Sequence, residues 1–118
     1  MGIQTVTAVS FDEIIAQHAL VLIDFGATWC APCQTFAKVL EAVMPEYPDV
    51  YFGAVDIDAE KELAQNFAVT SVPFVMIVRD QVVVYAESGL LPASALRELL
   101  DQARALTKEQ LQQQEEGR

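Results

Sequence analysis

The two cysteines of this 118-residue chain stand two residues apart, in Trp29-Cys30-Ala31-Pro32-Cys33. At that spacing two sulfurs can close and open one disulfide with little backbone motion, so the chemistry on offer is dithiol–disulfide exchange. The segment follows an apolar run and reads as strand, short turn, reactive thiol, helix. A thiol at a helix start faces unpaired N–H groups and the positive end of the helix dipole. Both favour the thiolate, which is the nucleophile. Pro32 suits a first helical turn, where its missing N–H has no intrahelical partner. Cys30, nearer the helix end and solvent, is then the attacking sulfur. Cys33, one turn in and shielded, is the resolving one. The competing use is half of a zinc site. A structural zinc takes four ligands, and the sequence has no third cysteine and a single histidine, His18.

Two further residues bear on a thiol pair. Asp24 lies in Val21-Leu22-Ile23-Asp24-Phe25, a run apolar on both faces, so neither orientation exposes it easily. Burial without a cation raises a carboxyl pKa, and such a group near thiols is a candidate proton acceptor. It would sit under the thiol-bearing helix and could help deprotonate Cys33, directly or through a water. The plainer reading is an aspartate at a strand end bonded to backbone. Pro73, in Ser71-Val72-Pro73, precedes an interior strand and should occupy its first position, since proline cannot donate to a ladder. On its own it reads as an ordinary trans proline, because only about 5–6% of X–Pro bonds in folded proteins are cis. His18 reads as a solvated helix-end residue rather than a partner for a cysteine. Asp56, Asp58, Glu60 and Glu62 read as capping and a solvated face rather than a metal cluster.

The elements that must hold these residues follow from periodicity. Ile3 to Thr7 alternates as a half-buried strand. Ser10 and Glu13 have capping-box spacing ahead of a short helix with Phe11, Ile14 and Ile15 on one face. Val21 to Phe25 suits the centre of a parallel sheet. A helix from Cys30 carries Phe36, Val39, Leu40 and Val43 at helical spacing and ends near Pro45 and Pro48. Val50 to Val55 is a strand, followed by a short helix with Leu63, Ala64 and Phe67, for which Asp58 is the expected N-cap. Phe74 to Val78 and Val82 to Tyr85 are joined so briefly that they must form an antiparallel hairpin. Pro92 opens a last helix with Leu96, Leu99, Leu100, Ala103 and Leu106. The order β-α-β-α-β-α-β-β-α predicts an α/β domain over residues 1–106, with helices on both faces of a mixed sheet. Residues 107–118 read as a polar tail, with Leu111 extending the helix for a turn and the remainder frayed or disordered.

Composition narrows the function. Hydrophobic residues make up 53% of the chain, enough for a sizeable core. The net charge of −10, from 17 acidic and 7 basic side chains, argues against nucleic acid and anionic membranes as partners. No signal peptide or apolar span is visible, and Gly2 lacks the myristoylation pattern. The expected location is therefore cytoplasmic, where a lone C-x-x-C is a catalytic pair rather than a staple. A loop so small would also constrain the unfolded chain little.

Taken together, Asp24-Phe25, Trp29-Cys30-Ala31-Pro32-Cys33, Val55-Asp56-Ile57-Asp58, Val72-Pro73-Phe74 and Ser88-Gly89 occur in the order and spacing of the thioredoxin family. The resemblance spans nearly all of residues 3–106. It implies a thioredoxin fold, a central mixed five-stranded sheet flanked by four helices. It implies that Pro73 is cis and packs beside the sulfurs. The backbone of Val72 would pair with an extended substrate segment. Trp29, Ala31, Pro32, Val72 and Gly89 would border a docking surface around Cys30. Asp24 would match the family's buried acid. Electrons would come from a thioredoxin reductase using NADPH and flavin; the chain shows no cofactor motif of its own. The departures are Gly26 in place of a frequent tryptophan, Ala31 for glycine, Gln34 for lysine, Lys38 for a helix-kinking proline and Ala54 for lysine. With no lysine matched at position 54, Asp24 is expected to titrate high.

The function that follows is a monomeric protein-disulfide reductase acting through Cys30 and Cys33, with disulfide-bearing proteins as clients. The alternative is a binding or redox-regulatory module dedicated to one partner, kept open by the substitutions at positions 26, 31, 34 and 54.

Overall fold

The computed structural model describes residues 3–116. Met1, Gly2, Gly117 and Arg118, which the expected domain and tail include, lie outside the described residues. Five strands form one sheet: β1 (Gln4–Thr5), β2 (Leu20–Gly26), β3 (Tyr51–Asp56), β4 (Phe74–Arg79) and β5 (Val82–Ser88), in the order β1-β3-β2-β4-β5. β1, β3 and β2 run parallel, and β4 and β5 are antiparallel to their neighbours. The helices are α1 (Ala8–Gln17), α2 (Ala31–Val43), α3 (Lys61–Asn66), α4 (Ala93–Ala105) and α5 (Lys108–Glu116), with a 3-10 turn at Met44–Glu46. The mixed five-stranded sheet is the expected one, and α5 adds a helix to the four anticipated.

Strand β2 positions everything else. Its side chains alternate between two cores. Val21, Ile23 and Phe25 pack with Phe11 of α1 and Leu63 of α3. Leu20 and Leu22 pack on the other face with Phe36 and Leu40 of α2 and Leu96 and Leu100 of α4. Asp24 shares this second face by alternation, which puts a carboxyl beneath α2. In register it stands opposite Ala54 of β3 and Val75 of β4.

Several local expectations are corrected. Helix α1 is capped by Thr7, not by a Ser10–Glu13 box: Thr7 Oγ1 accepts from the Ser10 N–H at 3.2 Å, and the Thr7 N–H donates to Ser10 Oγ at 3.0 Å. Strand β1 stops at Thr5, so Thr7 is free to take the extended backbone a cap needs. Glu60, not Asp58, is the N-cap residue of α3, and its Oε1 accepts from the Ala8 N–H at 2.8 Å. The β4–β5 link is a two-residue turn in which Asp80 and Gln81 both take positive φ, 49° and 69°. Such a turn matches the strand twist. It is secured by the Asp80 N–H donating to the Ala19 carbonyl at 2.8 Å. Helix α5 is not a continuation of α4. Leu106 is extended (φ −62°, ψ 137°), and the chain restarts with the Thr107 N–H on Gln110 Oε1 and the Gln110 N–H on Thr107 Oγ1. The break is held by Arg79, whose Nη1 donates to the carbonyls of Ala103, Arg104 and Leu106 at 2.7, 2.9 and 3.1 Å. Leu111 is buried, and α5 packs against β5.

Candidate functional site

β2 ends at Gly26, and a short turn delivers the chain to α2. Cys30 is the N-cap residue of that helix, with extended backbone, and Pro32 falls in its first turn. The turn is closed by the Cys30 N–H on the Ala27 carbonyl at 3.2 Å and by Gln34 Nε2 on the Thr28 carbonyl at 3.2 Å. Cys30 and Cys33 are joined as a disulfide, with Cα atoms 5.3 Å apart. Cys30 Sγ accepts the Cys33 N–H at 3.1 Å. It is therefore the sulfur that the helix end serves directly, as an N-cap oxygen would be served.

The two sulfurs do not differ in exposure as expected: Cys30 is 4% exposed and Cys33 7%. Cys30 Sγ is hemmed by its partner sulfur and by the Val72 carbonyl oxygen, 4.0 Å away. Cys33 lies over Gly26, where an added Cβ would sit 3.4 Å from both Cβ and Sγ of Cys33. A Cβ at position 26 would make ordinary van der Waals contact with Cys33.

The Val72–Pro73 peptide bond is cis, against the ordinary expectation for an isolated proline and as the family resemblance implied. Pro73 is buried and Val72 half-buried. The Pro73 carbonyl accepts the Gly89 N–H at 2.9 Å, so the loop after β5 is tied to the proline. Gly89 has φ +138°, a backbone that side-chain-bearing residues rarely adopt. Ala31, Pro32, Gly89 and Leu90 are exposed.

Trp29 is 68% exposed yet not free to swing. Its Nε1–H donates to Asp58 Oδ2 at 2.7 Å. Asp58 is itself held, its N–H donating to Asp56 Oδ1 at 2.9 Å. Sequence reasoning gave Asp58 to a helix cap and missed this. The register was the available signal: Gly26 pairs with Asp56, so the residues just beyond each strand end emerge side by side. His18 lies apart from the site's chemistry. His18 is the exposed C-cap residue of α1, its ring 4.6 Å from that of Tyr51. No cluster of three or more metal-ligating side chains occurs among the described residues.

Among the described residues Asp24 is the one charged residue in the core, 6% exposed, and its Oδ1 has no hydrogen-bond partner. Burial pushes its carboxyl from 3.8 up to about 7. No nearby cation opposes the desolvation, because Ala54 faces it across the β2–β3 pair. The protein therefore carries a carboxyl that exchanges a proton near neutrality beneath the N-terminal turn of the disulfide helix.

Comparison with known proteins fits this geometry. The sequence model of the thioredoxin family matches residues 2–102. The chain belongs to the thioredoxin family. It is 45% identical over 105 residues to putative thioredoxin 2 of Streptomyces coelicolor, covering 89% of this chain and 78% of that protein. It is 36% identical to thioredoxin-1 of Saccharomyces cerevisiae, covering 80% and 91%. Among solved structures, a mutant thioredoxin from Halobacterium salinarum matches with TM-score 0.82 at 29% identity, covering 90% of this chain and 94% of that one. Oxidised mitochondrial thioredoxin 3 of Saccharomyces cerevisiae matches with TM-score 0.79 at 30% identity, covering 85% and 94%. As a thioredoxin-family member with its C-x-x-C pair at disulfide distance, the chain is a thiol–disulfide oxidoreductase. The family works with thioredoxin reductase and disulfide-bearing clients. No helix among the described residues is long and apolar enough to cross a membrane.

Proposed function

We propose that the chain reduces protein disulfides in a reducing cytoplasmic setting, with Cys30 as nucleophile, Cys33 as resolving thiol and Asp24 as proton acceptor. The Cys30 thiolate attacks one sulfur of a client disulfide. A Cys30–client mixed disulfide forms, and the other client sulfur leaves as a thiolate and takes up a proton. Cys33 then gives its proton to the Asp24 carboxylate and attacks Cys30 Sγ. The client's second sulfur departs, and the Cys30–Cys33 disulfide remains. A thioredoxin reductase returns two electrons from NADPH through flavin. The carrying observation is the Cys33 N–H on Cys30 Sγ, which stabilises negative charge on that sulfur and leaves none of the same help for the other.

The docking surface in this reading is Trp29, Ala31, Pro32, Val72 and Gly89, and an extended client segment would pair with the Val72 backbone, whose carbonyl lies 4.0 Å from Cys30 Sγ. Pro73 holds that backbone in place without presenting a donor of its own.

The test is single-cysteine trapping with insulin as client. Cys30→Ser abolishes turnover, and Cys33→Ser accumulates a covalent adduct through Cys30. An adduct that forms in Cys30→Ser and not in Cys33→Ser would reverse the two roles. Wild-type protein with no turnover under a strong chemical reductant would favour a dedicated partner module instead.

A further inference from the structure

Asp24 does not face a sealed core. A cleft of about 240 Å³ opens beside it, lined by Thr5, Asp24, Gly26, Ala54, Val55 and Asp56, with the turn residues Ala27 and Thr28 at its upper rim. The sheet register explains the opening. Thr5, Ala54 and Asp24 stand in one row across β1, β3 and β2, and the next position toward α2 is Gly26. Small side chains therefore line a passage from the exposed Thr5 to a nine-tenths buried carboxyl with an unpartnered oxygen. At about 30 Å³ per water molecule the space exceeds what one or two waters need.

The lining selects a class of ligand. Two carboxylates, Asp24 and Asp56, are the charged groups of the cleft, and no basic side chain lines it. Oδ1 of Asp56 already accepts the Asp58 N–H. Two carboxylates fall short of the six or more oxygens a calcium ion gathers, and no third metal-ligating side chain joins them among the described residues. No aromatic face is present to hold a quaternary ammonium. An unpaired buried carboxylate instead calls for a charged N–H donor. The alanine and glycine walls call for a short apolar body behind that donor.

We propose that this cleft binds a primary alkylammonium ion, its N–H donors on the Asp24 carboxylate and its alkyl chain along Ala54 and Gly26. The charged group sharing the cleft with Asp24 is Asp56 from β3; β4 presents the apolar Val75 and β1 the neutral Thr5. Binding is read in the disulfide form, where no turnover occurs, so it stands apart from the roles given to the thiols.

The experiment titrates n-butylammonium chloride against sodium chloride, at constant ionic strength and slightly alkaline pH, into the oxidised full chain. Backbone amide NMR spectra are followed. Saturable shifts are expected at Gly26, Ala27, Ala54 and Val55, weakened at least tenfold in Asp24→Asn. A similar loss is expected in Ala54→Leu, which fills the cleft and leaves the carboxyl in place. Should Ala54→Leu fold poorly, Thr5→Leu closes the exposed side. Tetramethylammonium, which has no N–H donor, should give no saturable shift. Shifts that grow linearly with concentration, saturation that survives Asp24→Asn, or equal binding of tetramethylammonium would each overturn the assignment.

Discussion

Replacing Asp24 by asparagine keeps the side chain's shape and removes its titration. The carboxyl ionises near 7 in the fold and near 3.8 when the chain is open. Below the lower value it is protonated in both states, and pH does not separate variant from wild type. Between the two values the unfolded chain has released a proton that the folded chain still holds. Wild-type stability then falls with rising pH, by about 1.4 kcal/mol per pH unit. Above the upper value the loss is complete, and a gap of about three pH units sets it at about 4 kcal/mol. That is a large part of the 5–15 kcal/mol that holds a typical domain. Urea unfolding of oxidised wild type and Asp24→Asn checks it, because in the disulfide neither cysteine titrates. The stability difference between the two should grow by roughly 4 kcal/mol in favour of the variant between acid and mildly alkaline pH. At an m-value of about 2 kcal/mol/M the midpoints then separate by roughly 2 M. A difference that stays constant with pH would mean that Asp24 ionises normally and that its burial costs the fold nothing.

Trp29→Phe removes the indole donor to Asp58. It should lower kcat/KM for insulin reduction several-fold while shifting the urea midpoint little, since both side chains are exposed. Arg79→Leu strips three carbonyls of their shared donor and should cost about 2 kcal/mol in chemical unfolding, with amide exchange rising fastest in α5. Gly53→Ala would place a Cβ 2.5 Å from Val6 Cγ2 and 3.1 Å from Ile23 Cδ1. Overpacking of that kind costs about 1–3 kcal/mol, which thermal unfolding would register. Leu111→Ala empties the contact that seats α5 and should raise exchange across residues 108–116 without changing the disulfide-reduction rate.

Much of the architecture is legible in the chain because patterning and burial agree. The apolar run of β2, interrupted at Asp24, and the 3.6-residue stripe of α2 each have one compact solution. The strand, short turn and helix that carry Asp24, Cys30 and Cys33 were legible because the apolar run of β2 stops just before the C-x-x-C pair. What escaped was set by contacts distant in sequence. Asp58 could cap a helix or receive an indole, and only the pairing of β2 with β3 decides between them. Glu60 likewise serves α1 rather than its own helix. The Thr107–Gln110 box was readable as a helix start, but the polarity of the segment around it favoured disorder. It takes Leu111 on β5 and Arg79 under the break to tip the balance. The turn at Asp80-Gln81 has no glycine to announce its positive φ values, so the strands on either side impose it. The equal burial of the two sulfurs was also beyond reach, because Val72 arrives over Cys30 from a remote strand.

The sheet's two margins are finished differently, with one result. On one side β1 pairs over only two residues, too short to template a further strand. On the other, α5 lies against β5, the kind of covering element that discourages a further strand. Both flanks are thus defended against the edge-to-edge joining that leads sheets to aggregate. With the client segment docked at Val72 as proposed, backbone pairing is then confined to that groove.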